Sequence, residues 1–144
     1  MPYTHNVGFE LRTLNNMIHR QVISSKNIKY VDELTGTTSW IIGYLVHNRD
    51  RDIFQKDIEK EFSIRRSTAS KALSIMEQKG LIKREPVAHD ARLKRLVLTK
   101  RAIELNKIAE TDLEEIDKRL KLGLTEEELD AFFSTIEKIK KNLQ

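Results

Sequence analysis

From Asn6 to about Lys26 the apolar residues Val7, Leu11, Leu14, Ile18 and Val22 return in steps of four and three, which puts them on one face of a helix. Asn27 to Gly36 reads as a connection. Thr37 to Val46 predicts a more apolar helix with Trp40, Ile41, Tyr44 and Leu45 together on one side, and Asn48 to Asp52 is a charged turn. A short helix over about Gln55 to Phe62 should bury Ile58 and Phe62, and Ser63-Ile64 is the next break.

The helix expected over about Arg65 to Lys79 carries two opposed stripes. Ala69, Ala72, Leu73 and Met76 form one, and Ser67, Ser70, Lys71 and Ser74 form the other. Gly80 suits the left-handed position that ends a helix. Leu81 to Glu85 and Leu93 to Thr99 alternate as strands, with Ile82, Leu96 and Leu98 inward. Pro86 to Ala91 is the hairpin tip; lacking glycine, it is expected to be longer than a two-residue turn. From Lys100 to about Leu122 a long helix places Leu105, Ile108, Leu113, Ile116 and Leu120 on roughly one stripe, and Gly123 stops it. Thr125 and Glu128 form a capping box flanked by the staple positions Leu124 and Leu129. The last helix is expected to bury Leu129, Phe132, Phe133, Ile136 and Leu143.

Charge changes the picture. Ser63 to Arg101 holds eleven Lys/Arg against three Asp/Glu, whereas Met1–Phe62 has eight of each and Ala102–Gln144 has seven against eleven. All of the positive excess therefore lies on one helix and the hairpin after it. A basic helix followed at once by a basic hairpin suits a grip on a nucleic-acid duplex, with phosphate attraction supplying most of the affinity.

Composition narrows the alternatives. The chain has no cysteine, hence no disulfide, thiolate metal site or thiol switch. His5, His19, His47 and His89 are scattered, with no close helical pair; two could meet in a dimer with Asp or Glu to bind zinc, but surface histidines are the expectation, with no metal site and no cofactor. No Gly-rich phosphate loop, HExxH or nucleophile triad is legible, which argues against an enzyme. The charge-free run Leu34 to Asn48 is too short and too polar to span a membrane, and no signal peptide is evident at the N-terminus. A cytoplasmic protein is the expectation.

Three short helices and a hairpin make a winged helix, in which Gln55–Phe62 and Arg65–Lys79 are the helix-turn-helix and the second helix enters the major groove. Ser67, Thr68, Ser70 and Lys71 allow close approach to the groove floor, but hydroxyls bond base edges and phosphates alike, so they spell no sequence code. Arg65 and Arg66 at the helix start are candidates for phosphate or guanine contacts. In the hairpin, Asp90 and Arg92 share a face, so the carboxylate can hold the guanidinium in one orientation for a narrow minor groove.

Asp90-x-Arg92 followed by Leu98-Thr99 resembles the wing signature of MarR-family transcriptional regulators. Gln55-Lys56-Asp57-Ile58, Ser67-Thr68-Ala69-Ser70 with Leu73, and Met76 to Ile82 followed by Arg84 agree with it. The resemblance covers nearly the whole chain. It implies a mainly α fold with a small β-hairpin wing (α+β), a winged helix-turn-helix with added N- and C-terminal dimerisation helices: the DNA-binding lobe over 34–100, with the helix-turn-helix at 55–79 and the wing at 81–99, and dimerisation helices over 1–30 and 101–144. It implies a homodimer that binds a palindromic promoter site in double-stranded DNA, usually as a repressor. The recognition helix is then Arg65–Lys79 with Ser74 on its outer stripe, the wing arginine is Arg92 oriented by Asp90, Lys94 and Arg95 are the basic positions beside it, and Gln55 and Arg84 complete the set.

The outer stripes are too long for so small a core and suit an interface between two chains, through Val7, Leu11, Leu14, Leu113, Ile116, Leu120, Phe132, Phe133 and Ile136. Many relatives bind small-molecule effectors, often anionic aromatics; Phe9, Arg12, Met17, Trp40 and Tyr44 are the candidate lining here. The chain departs from the family at Phe54, where a capping Ser or Thr is usual; Asp52 is a possible substitute cap. Cysteine-based peroxide sensing is excluded. The rival readings are a nonspecific architectural DNA binder, which would show the same charge map, and a winged helix used for protein contacts, which the basic wing disfavours.

Overall fold

The computed structural model describes residues 5–25 and 36–144. The connection expected over Asn27–Gly36 lies almost wholly outside the described residues. The chain divides into two compact units, Met1–Asp112 and Leu113–Gln144.

The first unit contains α1 (Val7–Ile23), α2 (Gly36–His47), α3 (Gln55–Glu61), α4 (Arg66–Gln78), the strands β1 (Ile82–Val87) and β2 (Asp90–Leu98), and the first part of α5 (Lys100–Lys121). Asn6 caps α1, its Oδ1 accepting from the Phe9 amide at 3.1 Å. The core gathers Ile41, Ile42 and Leu45 of α2, Ile53, Ile58 of α3, Ala69, Leu73 and Met76 of α4, Leu81 and Ile82, all almost fully buried. Burial of each large aliphatic side chain stabilises the fold by about 1.5–3 kcal/mol. The mainly α winged helix-turn-helix expected from the sequence is the observed fold.

The expected apolar side of α2 needs correction. Trp40 is 53 % exposed, and the buried face of α2 is Ile41, Ile42 and Leu45. Within its own chain α1 buries only Val22, leaving Val7, Leu11 and Leu14 exposed. The buried positions on α5 are Ala102, Asn106 and Ala109 in the first unit and Ile116 in the second, while Ile108 and Leu120 are exposed.

β1 and β2 are antiparallel, with Ile82 opposite Leu98, Glu85 opposite Arg95 and Pro86 opposite Lys94. The register then breaks, and Val87 faces Asp90. The tip is therefore the two residues Ala88-His89, shorter than expected, and the extra length lies in a bulge over Ala91-Arg92-Leu93. Pro86 does not end the strand, because a two-stranded sheet has only edges, where a missing N–H is tolerated. Its rigid ring and absent donor coincide with the point where pairing slips.

The second unit holds the end of α5 and α6 (Glu126–Asn142). Gly123, at φ +79°, terminates α5 in the left-handed region. The Thr125–Glu128 capping box forms as expected: the Thr125 Oγ1 accepts from the Glu128 amide at 3.1 Å, and the Glu128 carboxylate accepts from the Thr125 amide at 2.8 Å. The burial expected for α6 does not occur: no α6 residue is buried, Phe133 is 55 % exposed, and Leu143, the C-cap, is exposed too. Leu129 and Ile136 on that stripe are half-buried.

Candidate nucleic-acid interface

The turn between α3 and α4 is tight. Phe62 closes α3, the Ile64 amide donates to the Glu59 carbonyl at 3.0 Å, and Ser63 adopts a left-handed φ of +49°. α3 starts without a side-chain cap from Asp52. Instead the Asp57 carboxylate accepts from the Phe54 amide at 2.8 Å, half of a capping box, because Phe54 brings no acceptor of its own. The Gln55 side chain donates to the Arg66 carbonyl at 3.4 Å, which links the first turns of α3 and α4.

α4 is two-faced as its period of 3.6 requires. Ala69, Leu73 and Met76 are buried, while Ser67, Thr68, Lys71 and Ser74 are exposed and Ser70 is half-buried. Arg65 is the N-cap, and both it and Arg66 are exposed. At the other end Gly80, at φ +71°, allows the Gly80 amide to reach the Glu77 carbonyl and the Leu81 amide the Met76 carbonyl, a Schellman closure. The carbonyls just beyond are also captured. The Thr99 hydroxyl donates to Gly80 O at 2.7 Å and accepts from the Ala102 amide at 3.2 Å, and Arg101 donates to Lys79 O at 2.8 Å. The start of α5 thus holds the end of α4. Thr99 is legible only as a motif letter; its bonding is not.

The hairpin cations differ in their surroundings. Arg92 is 96 % exposed; its own amide donates to the Asp90 carboxylate at 2.9 Å, and its Nε lies 3.7 Å from the same oxygen. Asp90 thus holds the bulged backbone by a hydrogen bond and lies within ion-pair distance of the arginine head. Lys83 and Lys94 are exposed. Arg84 is largely covered and faces Glu77 at 3.9 Å. Arg95 donates to Glu85 at 2.9 Å and to Asp52 at 3.3 Å. Its hydrogen bond to the Glu85 carboxylate, then that to Asp52, hold the Arg95 guanidinium above its ordinary pKa. The partners Asp52 and Glu85 are missed by sequence reasoning, because strand alternation does not reveal register.

The effector candidates lie on α1 and α2. Arg12 and Met17 are exposed on α1, as is Trp40 on α2; Phe9 is half-buried. Tyr44 is half-buried, its hydroxyl accepting from Arg51 at 2.9 Å and its ring meeting Phe62 edge-on at 6.0 Å. None of the five lines the groove of about 520 Å³ beside α4, which runs between Thr37-Thr38 and the Ser67, Thr68, Lys71 and Ile75 side of the helix. Of the interface candidates, Val7, Leu11, Leu14, Leu120, Phe132 and Phe133 are exposed, Leu113 and Ile136 are half-buried, and Ile116 is buried. Among the described residues no three His, Asp or Glu cluster as metal ligands, and no helix is long and apolar enough to cross a membrane.

A MarR-family sequence model matches residues 33–93. The crystal structure of the transcription regulator MarR from Oenococcus oeni is 35 % identical, covering 94 % of this chain and 99 % of that one, with a TM-score of 0.78. The fold is also that of the S. aureus MepR–DNA complex, at 24 % identity, 99 % coverage of each chain and a TM-score of 0.87. It is likewise that of the Streptomyces coelicolor regulator PcaV bound to its natural ligand, at 17 % identity, coverage of 100 % and 98 %, and a TM-score of 0.85. With a two-faced helix, a basic hairpin carrying Asp90 and Arg92, and a relative this similar over its full length, the chain belongs to the MarR family of transcription regulators.

Proposed function

We propose that this chain is a sequence-specific regulator that binds a palindromic promoter site as a homodimer, acting as a cytoplasmic repressor. The observation that carries the reading is the pairing of α4, with its exposed hydroxyl and lysine face, and a hairpin whose Arg92 stands out from its tip. In this reading α4 lies in the major groove, with Ser67, Thr68, Ser70, Lys71 and Ser74 against bases and phosphates. Arg65 and Arg66 meet the backbone, and Arg92 enters the adjacent minor groove. MepR, a protein of the same fold, was solved bound to DNA.

The homodimer is supported by the apolar residues left uncovered in each unit, Val7, Leu11 and Leu14 in one and Leu120, Phe132 and Phe133 in the other. Two copies related by a two-fold axis would read half-sites about one helical turn apart. A small-molecule effector belongs to the reading by analogy with ligand-bound PcaV, and would act by binding one spacing of the two α4 helices better than the other.

The test is fluorescence anisotropy with duplex DNA from upstream of the protein's own gene, against scrambled DNA of equal length, over a salt series. Preference for the upstream duplex by about a thousandfold supports a specific regulator. Equal, salt-sensitive binding to both refutes specificity for that DNA and favours the architectural reading.

A further inference from the structure

Arg95 sits in the basic hairpin, yet its guanidinium is turned onto its own chain. One amino group donates to Glu85, its register partner on β1, at 2.9 Å. Another donates at 3.3 Å to Asp52, which lies 43 residues earlier, in the connection between α2 and α3. The next residue repeats the link through the backbone: the Leu96 amide donates to the Ile53 carbonyl at 2.7 Å. Ile53 and Leu96 are both buried. Two consecutive hairpin residues are therefore bonded to two consecutive residues just ahead of α3.

A guanidinium is a planar fork of fixed geometry, so two carboxylates gripping different nitrogens set its direction. The same two carboxylates repel a phosphate approaching those nitrogens. The backbone bond fixes the height of the hairpin against the connection, and the side-chain bridge, further out, resists its pivoting about that point.

We propose that Asp52, Arg95 and Glu85 form a strap that sets the pose of the hairpin against the helix-turn-helix, so that Arg95 is a positioning residue and not a phosphate contact. The proposal rests on the DNA-binding reading above, in which the hairpin tip and α4 must meet the duplex together. It assigns a DNA-positioning role to an acidic residue, Asp52, which simple charge counting would call unfavourable.

That contrast supplies the test. If Arg95 reaches a phosphate, Asp52→Ala removes a repulsive charge and frees the arginine, so DNA binding tightens. If the strap operates, the same substitution loosens the hairpin and binding weakens. Because the chain has no cysteine, His89→Cys gives one attachment point for a spin label at the hairpin tip. The full-length labelled chain is compared with its Asp52→Ala, Arg95→Ala, Arg95→Lys and double alanine variants. Label mobility is read without DNA, and anisotropy is read with the upstream duplex.

The expected result is a more mobile label in all four variants and affinity about three- to tenfold weaker, with the double variant no worse than the singles. Arg95→Lys, which keeps the charge but loses the fork, should not rescue, and the salt slope should be unchanged for Arg95→Ala. Tighter or unchanged binding in Asp52→Ala, an unmoved label, or rescue by lysine overturns the strap. Failure of the unsubstituted chain to bind the duplex refutes the DNA-binding reading instead, and label mobility then still decides whether these residues hold the hairpin.

Discussion

Arg92→Ala should separate the hairpin tip's contribution to DNA binding from its contribution to folding. The side chain is 96 % exposed and meets Asp90 at 3.7 Å, so its removal takes no neighbour from the core. Surface changes of this kind shift stability by no more than about 0.5 kcal/mol. An arginine contact with a duplex is worth about 1–3 kcal/mol. A homodimer loses two of them, at least about 2 kcal/mol, which at about 1.4 kcal/mol per decade is about thirtyfold in Kd. The control is Asp90→Ala, which keeps the positive charge but removes the carboxylate that accepts from the Arg92 amide at 2.9 Å. It should weaken binding by less, about threefold, and leave the salt slope intact, whereas Arg92→Ala should flatten that slope by about one unit per protomer. The assay is anisotropy on the upstream duplex from about 50 to about 200 mM salt, with a thermal melt of each free protein. Affinity within about twofold of the unsubstituted chain at every salt concentration would remove Arg92 from the mechanism.

Three further outcomes are expected. Lys71→Ala, on the exposed face of α4, should lower the salt slope by about one unit per protomer if it meets a phosphate, measured in the same titrations; an unchanged slope would place the lysine off the backbone. Phe133→Asp, at a side chain 55 % exposed in the single chain, should leave the helix content intact by circular dichroism but halve the mass seen by light scattering, and a mass that stays that of a dimer would move the interface elsewhere. Ser63 holds φ +49°, where glycine is at ease and a β-branched residue is strained. Ser63→Val should therefore cost about 1–2 kcal/mol in a denaturant melt, and Ser63→Gly should fall within about 0.5 kcal/mol of the parent because its greater unfolded-state entropy offsets the relief. Equal stabilities for the two variants would contradict the left-handed turn.

Elements whose signal is local were legible in the sequence. The period of α4 separates Ala69, Leu73 and Met76 from Ser67, Lys71 and Ser74, Gly80 marks its end, and Thr125 with Glu128 marks the start of α6. Elements decided by distant partners were not. Asp52 has the chemistry of a helix cap, but its carboxylate is held by Arg95, 43 residues away, and Asp57 serves α3 from inside the helix. Pro86 looks like a turn residue, but on an edge strand it costs no ladder bond, so β1 runs on to Val87 and the irregularity moves to the bulge. The stripes of α1 and α6 were legible as stripes. What covers them was not, since a period shows that a face is apolar and says nothing about which surface it meets.

The candidate site was legible as a charge map and not as a set of available charges. The block from Ser63 to Arg101 contains three acidic residues, Glu77, Glu85 and Asp90, and each lies against an arginine: Arg84 at 3.9 Å, Arg95 at 2.9 Å and Arg92 at 3.7 Å. In sequence Arg92 is marked by Asp90, but nothing separates Arg84 from Arg95 except their places in a sum. In the fold the acids divide them. Glu77 faces a largely covered Arg84 at the end of α4, Glu85 shares Arg95 with Asp52, and Asp90 keeps Arg92 at the tip while leaving it almost wholly exposed. An exposed pair adds little to stability, so the use of these acids is better sought in direction: a carboxylate beside a guanidinium fixes where the planar head points. On the proposed DNA-binding reading, the net charge of the block would set its attraction to a duplex, while the three acids would set which of these arginines is left to meet it.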